Sequence, residues 1–373
     1  MVTKVWDYLQ EYREDEEEIY AAIERVLTSG TLILGPSVSS LEREFADFCE
    51  VAHGVGVDNA TNGLFLALRA AGIGPGDEVI TVPNTAVPTV TAIVQSGARP
   101  RFVDIDYETG LMDVEALPAV LTSKTKCVIP VHLYGQCVDM DPLLALVRGR
   151  DTVVLEDCSQ AHGAQYGSRK AGSMGDLAVF SFYPTKPLGG YGDGGMVVTN
   201  NSDFNDRLRR LRFYGMSGEY RALGEGYNSR LDELQAEILR VKLRKLNQRI
   251  RMRQEIASLY DSVFAGSPIR PMKVAHPSWH CYYVYAVRHA NRDEILTELL
   301  NEGIHLNSSY KWPIHTMPGF ADLGYTHGDF PNSERHCAEV FSMPMYPHLD
   351  LANARSAADS VLRLATADST GLS

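Results

Sequence analysis

Lys186 lies in the stretch "DLAVFSFYPTKPLGGYGDGG" (Asp176–Gly195), where an apolar run ends in a lysine and then in glycines. The run reads as a buried strand ending near Tyr183, and Pro187 biases Lys186 away from helical geometry. The amine is thereby held where strand gives way to loop. Burial disfavours an ammonium relative to a neutral amine, and a neutral amine condenses with an aldehyde. A lone lysine in such a place commonly does no more than cover a strand end with its stem, so the case for a Schiff-base lysine rests on its neighbours.

The first neighbour is "VVLEDCSQAHGA". Asp157 closes a second apolar run and so projects at the carboxyl end of a strand, where open α/β sheets hold ligands. An aspartate there can keep the pyridine nitrogen of pyridoxal phosphate protonated, which turns the ring into an electron sink. Gln160 can hydrogen-bond the ring oxygen. The plainer reading of Asp157 is a helix cap after the strand, and His162 alone reads as a structural hydrogen-bonder. The second neighbour is "DNATNGLFLAL", in which Ala60 and Thr61 open a helix and offer backbone N–H groups and a hydroxyl to a phosphate. Ser181 adds a further donor. An ordinary capping role for Asn59 or Thr61 is the alternative. No GxGxxG dinucleotide fingerprint opening a helix occurs, since Gly190-x-Gly192-x-x-Gly195 leads into another apolar run, and no Walker A sequence is present.

These groups need a scaffold. Short apolar runs recur at "EVITV", "RFVDI", "KCVIPVHL", "TVVLE", "DLAVFSF" and "GGMVVT", separated by helix-length or turn-rich segments. That rhythm predicts a mainly parallel sheet covered on both faces, a three-layer α/β domain. Ile19, Ile23, Val26 and Leu27 fall at helical spacing and predict an opening amphipathic helix over Glu16 to Leu27. Leu234, Ile238, Val241 and Leu246 mark a long spine helix. Beyond Pro268, the strand "YYVYAV", the helix "RDEILTELLNEGI" and a Pro/His/Tyr-rich loop suit a smaller α+β domain. The expected division is 1–250 and 251–373.

With 373 residues, 45% of them hydrophobic, the chain can bury a large core. A formal charge of -12 argues against a nucleic-acid or anionic-membrane surface. The six cysteines have neither a CxxC nor a paired-ligand spacing, so no metal site or disulfide framework is expected. With no apolar leader or membrane-length run, a cytoplasmic protein with reduced thiols is the expectation.

Several stretches in one order then carry a resemblance: "SGTLILGPSVSSLEREFADFC", "GIGPGDEVITVPNT", "IPVHLYGQCVDMDPL", "EDCSQAHGAQYGSRKAGSMGDLAVFSFYPTK", "GDGGMVVTN", "YNSRLDELQAEIL" and "GDFPNSERHCAEVFSMPMYP". The chain resembles the DegT/DnrJ/EryC1/StrS family of pyridoxal-phosphate-dependent nucleotide-sugar aminotransferases over nearly its whole length. The resemblance implies the aspartate aminotransferase fold (fold type I) and a homodimer with its site at the interface. It implies that Lys186 holds the coenzyme covalently, that Asp157 pairs with the pyridine nitrogen, and that Gln160 lies near the ring hydroxyl. Ser181 and the backbone at Ala60 and Thr61 would hold the phosphate, with Asn228 arriving from the partner subunit.

Glutamate is the implied amino donor and a nucleotide-linked, commonly dTDP-linked, ketodeoxysugar the acceptor, in ping-pong order. Tyr310, Trp312 and His315 match a loop bordering the substrate pocket in relatives, although Trp312 equally suits a core position. The chain departs from the family pattern at Ala60, at Ala86 where an aromatic ring often covers the coenzyme, and at Ser159, Pro187 and Ser309. The opposed reading is a non-catalytic regulatory or structural relative of the same fold.

Overall fold

The computed structural model describes residues 3–218, 220–275 and 277–367. Seven strands form one sheet: β1 (His53–Val57), β2 (Glu78–Thr81), β3 (Arg99–Phe102), β4 (Thr125–Val128), β5 (Val153–Asp157), β6 (Leu177–Ser181) and β7 (Gly195–Thr199). Their order is β1-β7-β6-β5-β4-β2-β3. Only β7 runs antiparallel to its neighbours in this sheet, so it is the mainly parallel, mixed sheet that the apolar runs predict. The strand carrying the lysine stops at Ser181 rather than Tyr183. The chain turns there, closed by the Lys186 amide donating to the Tyr183 carbonyl at 2.9 Å.

The accompanying helices are α1 (Leu9–Ser29), α2 (Pro36–Cys49), α3 (Ala60–Ala70), α4 (Val87–Gln95), α5 (Met140–Val147), α6 (Ser202–Leu211), α7 (Glu233–Phe264), α8 (Arg292–Asn301), α9 (Pro331–Glu339) and α10 (Leu351–Ala367). Successive strand residues face opposite sides of a sheet, and here they sort into two cores. Val79, Cys127, Leu177, Val179 and Val197 pack with Leu64 and Leu68 of α3, Ile93 of α4 and Leu208 of α6. Ile80, Val128, Ala178, Phe180 and Met196 pack with Leu41 and Phe45 of α2, Leu143 of α5 and Leu239 of α7. Three layers result.

Helix α1 starts earlier than its apolar stripe, at Leu9, whose amide donates to Asp7 Oδ1 at 2.8 Å. Leu27, counted in that stripe, is exposed, whereas Ile19, Ala22 and Val26 are buried. The helix lies along α7 through Asp15 to Arg249 at 2.5 Å, Asp15 to Lys245 at 2.7 Å and Glu11 to Lys242 at 2.8 Å.

Helix α7 spans two environments. Leu239, Leu246 and Ile250 belong to the core of the large sheet. Ile256, Tyr260 and Phe264 join a separate core with α8, α10 and a three-stranded antiparallel sheet of β8 (Arg270–Pro271), β9 (Tyr285–Arg288) and β10 (Val340–Met343). We propose the division between the two units at residue 250 within this helix. Strand pairing crosses it: Thr3–Lys4 pairs in parallel with Ile304–His305, and Ser278–Trp279 pairs antiparallel with Gln165–Tyr166. The expected strand "YYVYAV" begins only at Tyr285, because Cys281 is drawn to the large unit through its amide and the Gly135 carbonyl at 2.8 Å.

Beneath the carboxyl end of β5 lies a buried polar knot. The Glu156 carboxylate accepts from the amides of Gly172, Met174 and Gly175 at 3.0, 2.8 and 2.6 Å, and from His132 Nε2 at 2.8 Å. His132 Nδ1 in turn accepts from the Val138 amide. The Cys158 sulfur is close by, but burial pushes its thiol well above its ordinary range. Every ring nitrogen and carboxylate oxygen is already committed, so the cluster acts as a buttress. Burial raises the Glu156 carboxyl, but His132 and the backbone donors outweigh it and hold it below its ordinary 4.5. The stabilisation is therefore present above that pH and is lost as pH falls through the lower folded value. Glu156→Gln is expected to cost about 1–3 kcal/mol at neutral pH in urea unfolding, with the gap to the parent narrowing in acid.

Candidate active site

Neighbouring parallel strands bring the acid and the amine together. Asp157, the last residue of β5, is paired with Val179 of β6, and Lys186 follows the end of β6 by one turn. A cleft of about 230 Å³ opens there. Ala60, Thr61, Ala86, Asp157, Ser159, Gln160, Ser181 and Lys186 all line it, so residues spread over more than 120 positions meet at one site.

Asp157 is fixed from several directions. Its amide donates to the Pro130 carbonyl at 2.9 Å, and its carbonyl accepts from His132. Oδ2 accepts from Thr89 Oγ1 at 2.8 Å, and Oδ1 accepts from the Ser159 amide at 3.1 Å. The Thr89 hydroxyl also lies 3.1 Å from that of Thr85. Gln160 is oriented equally firmly. Its Oε1 accepts from the amide of Tyr134, a residue at φ +62°, and its Nε2 donates to the Tyr310 hydroxyl, both at 2.8 Å. One amide proton of Gln160 is left for the cleft.

The expected anion cradle lies at the N-terminus of α3. Asn59 is the cap, its Oδ1 accepting from the Asn62 amide at 2.9 Å, and Asp58 Oδ2 braces the Asn62 side chain. Thr61 therefore is not the cap, and the amides of Ala60 and Thr61 find no partner among the described residues. Gly195 makes room for this turn. A Cβ there would lie 2.8 Å from the Asn59 carbonyl carbon and 2.9 Å from the Ala60 nitrogen. Ser181 faces Gly195 across the strand pair, and its oxygen accepts from the Tyr183 amide, leaving its proton for a ligand.

Asn228, Tyr310, Trp312, His315 and His162, also singled out in the sequence, do not line the cleft of their own chain. Asn228 is exposed, in the loop before α7, and does not line its own chain's cleft. Tyr310 reaches the site through Gln160. Trp312 is 62% exposed, which removes the core alternative. His315 is buried, 2.9 Å from Glu334 and edge-on to Phe330, so it fastens the loop to α9 and is not brought to the cleft. His162 is a packing residue among Phe45, Phe180 and Phe182, and neither ring nitrogen has a hydrogen-bond partner. Burial, with the Lys186 charge nearby, pushes it down to about 3, so it stays neutral. Ala86 lines the cleft together with Pro88, Val131 and Ser159, and the aromatic residue in that lining is Tyr183.

Several participants escape a sequence reading. Thr85, Thr89 and Tyr134 carry no motif of their own. Tyr283, from the segment before β9, places its ring centroid 4.3 Å from Lys186 Nζ and its hydroxyl 3.1 Å from Thr185 Oγ1. Only the Thr-rich "PNTAVPTV" next to a strand end hinted at the Asp157 partners.

A lysine, an aspartate and the amides of a helix N-terminus thus share one cleft at the strand ends of an α/β sheet, an arrangement suited to a carbonyl-bearing anion. The sequence profile of the DegT/DnrJ/EryC1/StrS aminotransferase family matches residues 13–362, and the chain belongs to that family. Its fold is the aspartate aminotransferase type. The dTDP-3-amino-3,4,6-trideoxy-alpha-D-glucose transaminase of Micromonospora megalomicea subsp. nigra is 50% identical over 94% of this chain and 95% of its own. A pleiotropic regulatory protein of Geobacillus stearothermophilus is 40% identical over 92% and 93%. Among solved structures, S. venezuelae DesV in complex with a ketimine intermediate superposes with a TM-score of 0.95 at 39% identity, covering 98% of both chains.

Removing the Thr89 hydroxyl would leave a buried carboxylate oxygen without its donor. Thr89→Val should destabilise the protein by about 1–3 kcal/mol in urea unfolding, whereas Thr89→Ser should stay within about 1 kcal/mol of the parent.

Proposed function

We propose that this protein is a pyridoxal-phosphate-dependent aminotransferase that moves an amino group from an amino acid, with glutamate as the working donor, to a nucleotide-linked ketodeoxysugar. The observation that carries the reading is the shared cleft of Lys186 and Asp157, with the open amides of α3 at its edge. The residues fit the coenzyme on three counts: a phosphate would meet two unpartnered amides and the Ser181 proton, Asp157 is an anchored anion, and Lys186 is the cleft's amine. Bound there, the coenzyme supplies a carbonyl for amines and a ring that accepts electrons.

The chain's own residues do the rest. Asp157, locked by Thr89 and the Ser159 amide, holds a proton on the ring nitrogen. The α3 amides offset phosphate charge at the positive end of the helix. Gln160 offers its remaining N–H to the ring oxygen. Lys186, on a turn short enough to keep its stem in the cleft, would take and return the proton at the substrate carbon. A dTDP-linked acceptor is favoured by the 50% identical relative, whose name specifies that nucleotide. No described helix is long and apolar enough to cross a membrane. Six buried, unpaired cysteines suit a reducing compartment, and we place the enzyme in the cytoplasm.

The non-catalytic alternative has a specific observation behind it, the 40% identity to a protein named as a regulator. Both readings are tested by adding glutamate to the coenzyme-loaded protein. An aminotransferase changes the coenzyme absorbance and releases 2-oxoglutarate, and Lys186→Ala should lower that rate by at least about a thousandfold. A protein that binds the coenzyme but ignores every amino donor is a regulator.

We further propose a homodimer in which Asn228 of one subunit completes the phosphate site of the other, since its exposed position lies outside its own cleft. Asn228→Asp sets an anion against the phosphate and should inactivate. Mixing that variant with Lys186→Ala should restore about a quarter of wild-type activity after random subunit exchange, because half the dimers then hold one intact site. Sites built within one chain would restore none.

A further inference from the structure

The turn that carries Lys186 is met from the other unit by a tyrosine. Tyr283 is 98 residues away from Thr185 in the chain, yet their hydroxyls lie 3.1 Å apart. The same phenol ring sits under the amine, its centroid 4.3 Å from Nζ. We propose that Tyr283 is a positioning residue for Lys186, holding the amine over its ring and exchanging a proton with it through the phenolic oxygen. This rests on the aminotransferase reading, because a lysine that must be cationic at one stage and neutral at the next needs a nearby group to take the proton.

The segment bearing Tyr283 is fixed on both sides. Arg253 of α7, only 2% exposed, donates through Nη1 to the carbonyls of Tyr282, Tyr283 and Met345 at 3.1, 3.3 and 2.9 Å. On the opposite side the segment rests on Gly135, at φ +112°, where a Cβ would lie 2.8 Å from Cys281 Sγ and 2.9 Å from the Tyr283 nitrogen. Backbone that cannot approach more loosely puts the ring in one place.

The charged and titratable groups facing Tyr283 are Lys186 from the β6 turn, Arg253 from α7 and Tyr310 from the loop before α9. Burial alone would raise the phenol, but the Lys186 ammonium, the Thr185 hydroxyl and the Arg253 charge outweigh it and lower it. Tyr310 moves oppositely. Burial, followed by the Tyr283 and Asp157 charges, raises it, against the hydrogen bond from Gln160. Of Tyr283 and Tyr310, Tyr283 is therefore the phenol whose ionised form its neighbours favour. The step balances without a co-reactant: one N–H bond of the ammonium breaks, one O–H bond forms on the phenolate, and the products are a neutral amine and a neutral phenol. The reverse transfer restores the ion pair.

The test begins on the coenzyme-free protein. Ultraviolet difference titration of the wild type should show one of its 18 tyrosines ionising before the rest. Tyr283→Phe, which keeps the ring and its packing, should abolish that early step, and Lys186→Ala should move it to higher pH. With coenzyme loaded, Tyr283→Phe should lower the rate constant for reaction with glutamate by about tenfold at nearly unchanged KM and displace the pH-rate profile. A role in packing alone would lower thermal stability and leave the profile in place. The proposal is overturned if the early ionisation survives in Tyr283→Phe, or if Lys186→Ala leaves it unmoved. Should the loaded wild type ignore every amino donor, the enzymatic reading fails, and the coenzyme-free titration still decides whether the two residues share a proton.

Discussion

Two oppositely charged side chains leave the carboxyl ends of adjacent parallel strands and are prevented from collapsing onto one another. Asp157 ends β5 and Lys186 follows β6, and those strands are hydrogen-bonded neighbours. An unrestrained pair at this spacing would close into an ordinary ion pair. Instead each carboxylate oxygen accepts one hydrogen bond, from Thr89 or from the Ser159 amide, and the amine lies over the Tyr283 ring. The gap between them is the cleft, and the reaction depends on its staying open.

Much of the rest of the large unit serves that separation. Glu156, one residue before Asp157, points to the opposite face and is buried among three backbone donors and His132. The strand end is thereby held from below while its acid is held from above. A buried carboxylate is costly unless its lone pairs are used, and here they are. The close packing of Gly195 against Asn59 and Ala60 fixes the helix N-terminus in the same way. Each anchor includes backbone groups, which limits how far any one side chain can drift.

The small unit contributes differently. Its core is separate, built on the second half of α7, but two of its segments return to the cleft. One brings Tyr310 onto Gln160, and the other brings Tyr283 onto the lysine turn. Arg253 joins the second segment to α7 and to Met345. Packing in the small unit is therefore coupled to the lysine, because moving α7 would move the backbone that carries Tyr283.

The sequence by itself determined the groups that act within one stretch of chain: the lysine after an apolar strand, the Asp-x-x-Gln at the end of another, the amides opening α3. Short continuous apolar runs likewise decided the three layers, since a strand covered on both faces is apolar at successive positions. Only the tertiary structure decided which residues support them. Thr89 meets Asp157 across 68 positions and Tyr283 meets Thr185 across 98, and no local pattern encodes contacts of that separation. The same limit explains His315, whose partner Glu334 lies in a later helix, and Trp312, which stays exposed although its type suits a core. Local chemistry is written in neighbouring residues, whereas orientation is set by whatever the folded chain packs against them.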